Sequence, residues 1–295
     1  MPELPEVETV RRQLEPELVG RRIERVTVLD ERLTRPEAPR SVEKAVSGRK
    51  VEAVGRRGKY LLIELEGERT LAIHLRMTGN LLIGENGGLK HVRARFALDD
   101  GRQMLFTDIR RFGQAIVLDR GDQLEDYFAA RLGLEPLSGE LTPERLLELA
   151  KDRKAPLKSF LLTQDRVAGI GNIYADEALW RARLHPLSPA GSMKLEHAER
   201  LVEGIVGALE AGLDHGGASI DDYLDARGER GSMQDEFLVH TREGEACLRD
   251  DGGEIQRIVV GGRSTYFCPV CQERLRRRPR RRTGARARPK RDRAG

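Results

Sequence analysis

The period of the apolar pattern changes once along the chain, and that change limits the folds open to it. Between residues 21 and 118 apolar and polar side chains alternate, so the whole stretch reads as strands. RIERVTVL opens the run. KYLLIEL and TLAIHL follow, separated by EGER, a hairpin signal, and HVRARFAL sets Val92, Ala94, Phe96 and Leu98 on one side before Asp-Asp-Gly turns the chain into RQMLFTD. Short strands at this spacing predict a β-sandwich or barrel-like domain. Near residue 120 the pattern changes. GLEPLSGELTP (133–143) has the Pro/Gly punctuation of a linker, and helical periodicity then covers 143–151, 156–163, 172–183 and 194–213. In the last of these, Leu195, Ala198, Leu201, Val202, Ile205 and Leu209 share a face. DARGERGS (225–232) leads into a strand–turn–strand unit at 237–272, and there is no internal repeat. The expected class is α+β and multidomain.

A helix precedes the strands. Pro5 suits its first turn, Glu6 and Glu8 suit the positive end of its dipole, and Val7, Val10, Leu14 and Leu18 form one buried face. Ahead of it stands Met1-Pro2-Glu3. Pro2 is small, so Met1 is expected to be trimmed, leaving a secondary amine with Glu3 and Glu6 close behind. An α-amino group has a reference pKa near ~8, so a usable fraction is neutral at physiological pH. Such an amine attacks a sugar C1′ or a carbonyl carbon. The resulting iminium is an electron sink that weakens neighbouring bonds.

There is no apolar run long enough to span a membrane and no signal-peptide pattern. Three cysteines in 295 residues argue for a reducing cytoplasm rather than a disulfide framework. The net charge of +4 is unevenly spread. Residues 274–295 hold twelve Lys/Arg and one acid, leaving 40 bases and 47 acids, net −7, in residues 1–273. The tail from 273 is expected to be disordered and to attract DNA or RNA through counterion release, without sequence preference.

Several loops carry chemistry. AGIGNIYADEAL (168–179) sets Gly169 and Gly171 before Asn172, an expected N-cap, and such a turn presents N–H groups to an anion such as a DNA phosphate. LRMTGN (75–80) and TDIRRFG (107–113) place Met77 and Phe112, large apolar residues, in polar loops beside Arg110 and Arg111. That is how proteins wedge open a duplex, although each alone fits a residue folded back into the core. RRGKYLL (56–62) puts Lys59 at a strand mouth. Cys268-Pro-Val-Cys271 is half of a structural zinc site. Cys247 supplies a third thiol, and Asp250 or Asp251 stands where a fourth cysteine belongs.

Together MPELPEVET, RRGKYLL, HLRMTG, TDIRRFG, GIGNIYADEAL and VVGGRSTYFCPVCQ resemble the formamidopyrimidine-DNA glycosylase family, in order from Met1 to about Gln272. The resemblance implies an N-terminal helix with a β-sandwich domain (1–130), a linker (131–141), a helical helix–two-turn–helix domain (142–232), a zinc-finger-type hairpin (237–272) and a tail (273–295). It implies a bifunctional glycosylase and abasic-site lyase for oxidised purines, acting as a cytoplasmic monomer on double-stranded DNA. Pro2 would be the nucleophile, Glu3 the general acid/base, Glu6 its support, and Lys59 the hairpin lysine at the lesion. Met77, Arg110 and Phe112 would fill the gap left by the flipped base. His74, Asn172 and Arg263 would hold phosphates, Arg263 also serving catalysis, with His91 and Arg111 counted among the DNA contacts. A loop at roughly 225–236 would cover the flipped purine. One structural Zn2+ would be held by Cys247, Cys268, Cys271 and Asp250 or Asp251. The sequence departs from the family at this fourth ligand. It departs also at His240, where a phosphate-touching tyrosine is usual, and at Ile109, where a proline is usual and whose absence is expected to loosen the loop. Two alternatives remain at this stage: an endonuclease VIII-like enzyme for oxidised pyrimidines, and a catalytically silent DNA-binding protein.

Overall fold

A computed structural model describes residues 1–84, 88–220 and 222–276. The tail beyond 276 lies outside the described residues. Helix α1 (Leu4–Leu18) opens the fold with Pro5 in its first turn. Eight strands follow: β1 (Arg22–Val28), β2 (Arg49–Arg57), β3 (Tyr60–Leu65), β4 (Arg69–His74), β5 (Gly79–Gly84), β6 (Val92–Leu98), β7 (Gln103–Asp108) and β8 (Gln114–Asp119). All neighbours pair antiparallel in the order β5-β7-β6-β1-β2-β3-β4-β8. Strands β1 and β2 share only the pairs Arg22–Lys50 and Ile23–Arg49, so the sheet folds there into two four-stranded layers of a sandwich.

Between the layers lie Ile23, Val26, Phe96 and Phe106 from one side and Leu61, Ile63 and Ile73 from the other, closed by α1 through Val7, Val10, Leu14 and Leu18. The opposite face of β3, β4 and β8 is covered as well. Tyr60, Leu62, Ala72, Ile116 and Leu118 pack on Leu124 and Phe128 of α3 (Asp122–Ala129). Burial on both faces explains why KYLLIEL is almost continuously apolar.

The reading of 21–118 as strands throughout needs one correction. Residues Pro39–Val46 form a helix, α2, started by Pro39 and burying Val42 and Val46 one turn apart. The helical segments are α4 (Pro143–Ala150), α5 (Leu157–Leu161), α6 (Asn172–Arg181) and α7 (Leu195–Asp214). A second core joins them, and Leu4 of α1 belongs to it rather than to the first. Helix α1 thus straddles the two cores. The last strands, β9 (Gln256–Val260) and β10 (Arg263–Phe267), form a two-stranded hairpin shorter than 237–272; the preceding residues are held by turns. Residues 273–276, expected to begin a disordered tail, are instead held in place. Glu273 N–H donates to Arg183 O and Glu273 O accepts from His185 N–H, while Leu275 packs on the second core. No helix among the described residues is long and apolar enough to cross a membrane.

Candidate functional site

The start of α1 meets the start of α6. Gly171 is the N-cap of α6, and Asn172, expected there, is its first helical residue. The anion that the glycine turn receives is not a phosphate but the Glu3 carboxylate, which accepts from Gly171 N–H (2.8 Å) and Ile173 N–H (3.0 Å). A side chain at Gly171 would collide with it, because a Cβ would fall 2.2 Å from the Glu3 carboxyl carbon. Gly169, at φ +83°, sits against Leu4 and accepts the Leu4 N–H through its carbonyl (3.0 Å). Close packing and anion binding are therefore the same feature, and the positive end of the α6 dipole faces Glu3.

Glu6 is buried and takes three donors: Glu3 N–H (2.7 Å), Tyr174 Oη (2.7 Å) and Ala218 N–H (2.8 Å). Its carboxyl lies above the usual range, first because of burial and then because of the Glu3 charge. Lys59 approaches from the β2–β3 turn and is buried at 5% exposure. Burial pulls its ammonium pKa down, the charges of Glu3 and Glu6 oppose this, and Arg263 adds to it. The structure therefore brings Pro2, Glu3, Glu6, Lys59 and Arg263, from three separate segments, to one place.

The wedge residues stand out of the core. Met77 is 37% and Phe112 53% exposed, which overturns the folded-back alternative. Met1, Met77, Phe112 and Arg76 wall one open cleft of about 550 Å³. The Arg110 guanidinium lies 4.9 Å from the Phe112 ring centroid. Asp108, almost fully buried, knots the two loops together: its carboxylate accepts from Thr78 Oγ1, Arg110 N–H (3.1 Å) and Gly113 N–H (2.7 Å). In the loop where Ile109 replaces the usual proline, Asp108 makes these bonds across it. Arg111 differs from expectation. Its guanidinium grips Asp30 through two nitrogens, and this pairing holds Asp30 below the ordinary carboxylate range.

His74 is buried against Tyr60, rings edge-on at 4.6 Å, and its Nδ1 accepts from Arg76 N–H (3.0 Å). Burial, with Arg76 and Lys59 nearby, lowers its pKa to about 3. The ring is therefore neutral at physiological pH, with its proton on Nε2. Asn172 donates its amide to Ser264 O (3.1 Å), fixing the β9–β10 turn that carries exposed Arg263. His91 lies apart, on a second cavity of about 340 Å³ walled also by Asn80, Asp222 and Arg230. Asn80 ties this cavity to the 222–224 segment by donating to Asp222 O (2.9 Å) and accepting Leu224 N–H (2.9 Å).

His240, in place of the tyrosine, is drawn inward. Its Nδ1 meets Asp176 (2.9 Å), whose other oxygen pairs with Lys158 (2.7 Å), all three being buried. Sequence reasoning missed this ion pair, and it missed Tyr174 and Asp108. Their partners are distant in the chain and left no local pattern.

The side chains of Cys247, Asp251, Cys268 and Cys271 gather with all ligand atoms within 4.8 Å of one another. Asp250 is excluded: it occupies a left-handed turn position at φ +52° and its carboxylate is not among them. A tetrahedral zinc with S at ~2.3 Å and O at ~2.0 Å has S···S edges of about 3.8 Å and S···O edges of about 3.5 Å. Cys247 to Cys271 is 3.9 Å, and Cys268 to Asp251 is 3.5 Å. The donor set fits the metal. Arg249 closes one side, donating to Cys271 Sγ (3.1 Å) while its guanidinium lies 3.6 Å from the Trp180 ring centroid.

Three family models match the chain: the formamidopyrimidine-DNA glycosylase N-terminal domain over 1–115, the formamidopyrimidine-DNA glycosylase H2TH domain over 132–223, and a zinc finger found in FPG and IleRS over 252–274. The formamidopyrimidine-DNA glycosylase of Chloroflexus aurantiacus is 46% identical over 274 residues, covering 92% of this chain and 98% of that one. Its counterpart in Roseiflexus sp. is 45% identical over 275 residues, covering 92% and 100%. Among solved structures, a Lactococcus lactis FPG mutant in complex with a Fapy-dG containing DNA matches with a TM-score of 0.86 at 35% identity, covering 92% and 100%. The same bacterium's Fpg with an abasic site containing DNA matches at 0.85 and 35%, with the same coverage.

Proposed function

The chain belongs to the formamidopyrimidine-DNA glycosylase family, and on that premise we propose how its residues divide the work of excising oxidised purines and cleaving the strand. It is a base-excision-repair glycosylase with abasic-site lyase activity. One observation carries the assignment: the Glu3 carboxylate is fixed by α6 within range of the Lys59 ammonium, next to Pro2, while Met1 lines a cleft walled also by Met77 and Phe112.

The target C1′ is stacked inside a duplex, so the nucleotide must be extruded. Phe112, Met77 and Arg110 fill the space it leaves and offset the unstacking. Arg263, Asn172 and neutral His74 hold the backbone, His74 as a donor from Nε2. Once Met1 is removed, the Pro2 nitrogen lone pair attacks C1′ and the bond from C1′ to the base breaks. The departing base takes a proton from solvent. Glu3 accepts the proton that the Pro2 nitrogen sheds after attack and gives it to O4′ as the C1′–O4′ bond opens, leaving the iminium between Pro2 and C1′. A proton then leaves C2′ and the electron pair expels the 3′ phosphate. A second elimination expels the 5′ phosphate, and water hydrolyses the iminium to return the free amine. Lys59 lies close enough to the two carboxylates to stabilise the damaged nucleotide and its phosphate. Glu6 holds the start of α1 in place.

The hairpin binds one structural Zn2+, and we assign Cys247, Asp251, Cys268 and Cys271 as its ligands. Held by these four side chains, zinc would tie together the two ends of 244–272 and so steady the hairpin that presents Arg263. Metal content near one per chain, falling in Asp251→Ala, supports this assignment; content near zero in the intact protein overturns it. The work of the enzyme on chromosomal DNA points to the bacterial cytoplasm and the nucleoid.

Borohydride trapping tests the central assignment. With an 8-oxoguanine:cytosine duplex the protein is expected to give a covalent adduct that Pro2→Gly abolishes. Adducts formed only with thymine glycol would move the substrate class to oxidised pyrimidines. No adduct with either lesion would refute covalent catalysis by Pro2.

A further inference from the structure

Burial and the charges of Glu3, Glu6 and Arg263 act on the Lys59 ammonium. Charge attraction has little direction, so the place of that ammonium depends on the backbone turn beneath it. The turn is braced from outside the site. Gly58 precedes Lys59 at φ +54°. Its N–H donates to Glu135 Oε1, and its carbonyl accepts from Arg56 Nη1 (2.9 Å). Arg56 also donates to Glu135 Oε2 (3.0 Å) and, through Nε, to Glu8 of α1 (3.1 Å). Arg56 and Glu135 are 11% and 22% exposed, so the ring is largely shielded from water. Glu135 itself is not adrift. Leu134 O accepts Ala168 N–H (2.9 Å) and Leu134 N–H donates to Arg166 O (3.0 Å), next to the turn that receives Glu3.

We propose that Glu135, acting with Arg56, is a positioning residue that sets Lys59 in register with the Pro2 amine and Glu3. Its carboxylate grips the lysine hairpin at Gly58 and Arg56, Arg56 passes the link to Glu8 on the nucleophile's helix, and the Leu134 backbone ties it to the segment leading into α6. Excision is sensitive to sub-ångström placement, and a misplacement of ~1 Å reduces rates by about 100-fold. Glu135 touches neither the amine nor the proposed phosphate contacts, so its removal should affect excision and spare binding. The proposal rests on the assignment of Lys59 to the reacting centre.

A double-mutant cycle in single-turnover excision of 8-oxoguanine tests it, with rates followed over hours. Glu135→Ala is expected to slow excision ~10- to 100-fold while affinity for a duplex carrying a tetrahydrofuran abasic analogue changes less than ~3-fold. In a Lys59→Ala background the same substitution is expected to have no further effect. Glu135→Gln, which keeps an acceptor for Gly58 N–H, runs through the same cycle, with melting curves for every variant, in case the alanine variant unfolds. An undiminished effect of Glu135 substitution without Lys59 would overturn the proposal, as would wild-type excision by Glu135→Ala. If Lys59→Ala alone excises at the wild-type rate, the assignment of Lys59 fails, and the proposal falls with it.

Discussion

His74 gives a pH dependence whose size follows from its surroundings. A free imidazole titrates near 6.5, whereas the buried ring titrates at about 3 because burial disfavours its charged form and Arg76 and Lys59 repel it. Between those values the unfolded chain holds a proton that the folded one does not. Stability contributed by the neutral ring is therefore present above pH 6.5 and falls as pH drops toward 3. At about 1.4 kcal/mol per tenfold change, the difference between pH 7 and pH 5 is ~2 kcal/mol. For a chain of 295 residues that is a fall in Tm of ~3 °C. His74→Asn keeps an acceptor near Nδ1 for Arg76 N–H and removes the titration. It also loses the edge contact with Tyr60, equally at both pH values. Melting of both proteins at pH 7 and pH 5 isolates the effect: the wild type should lose ~2 kcal/mol more than the variant. The half-buried His185, lowered to about 4, contributes to both and cancels. Equal losses within ~0.5 kcal/mol would refute the claim that His74 is buried neutral.

Gly171→Ala should abolish excision about as completely as Glu3→Gln, since its Cβ would occupy the carboxylate's place; trapping yields near wild type would show that Glu3 can retreat without consequence. Tyr174→Phe removes a 2.7 Å bond to the buried Glu6 carboxylate and should destabilise the protein by ~1.5–3 kcal/mol in denaturant unfolding, a change below ~0.5 kcal/mol arguing against that bond. Asp108→Ala should unpin both wedge loops and lower single-turnover excision at least ~10-fold with little change in binding to undamaged duplex. Unchanged excision there would mean that the loops hold their shape without Asp108.

Much of this was legible along the chain wherever one face of an element is buried. Alternation gave the strands, and the three- to four-residue period gave α6 and α7 nearly to their ends. Helix α2 escaped because eight residues with two buried valines leave too short a trace between strands. The site was legible as residue types: a terminal proline, two glutamates, a turn lysine and a CxxC. Its assembly was not. Glu3 and Gly171 meet across most of the sequence, and nothing local distinguishes Asp108 or Glu135 from a solvated loop acid. Asp250 and Asp251 were equivalent in spacing, and only the left-handed backbone at Asp250 separates them. Met77 and Phe112 were ambiguous for the reverse reason: apolar residues usually return to the core, and here the loops leave them in water.

Trp180 is the chain's sole tryptophan. It lies under the guanidinium that also contacts a thiol of the cysteine–aspartate cluster. Excitation at the red edge of the absorption band therefore reports from a single known position, where helix α6 meets the hairpin. A cation stacked on an indole perturbs its emission, and unfolding of the hairpin would carry Arg249 away from the ring. The protein thus carries its own optical gauge of whether the hairpin is intact, readable during chelation, refolding or DNA binding without any label.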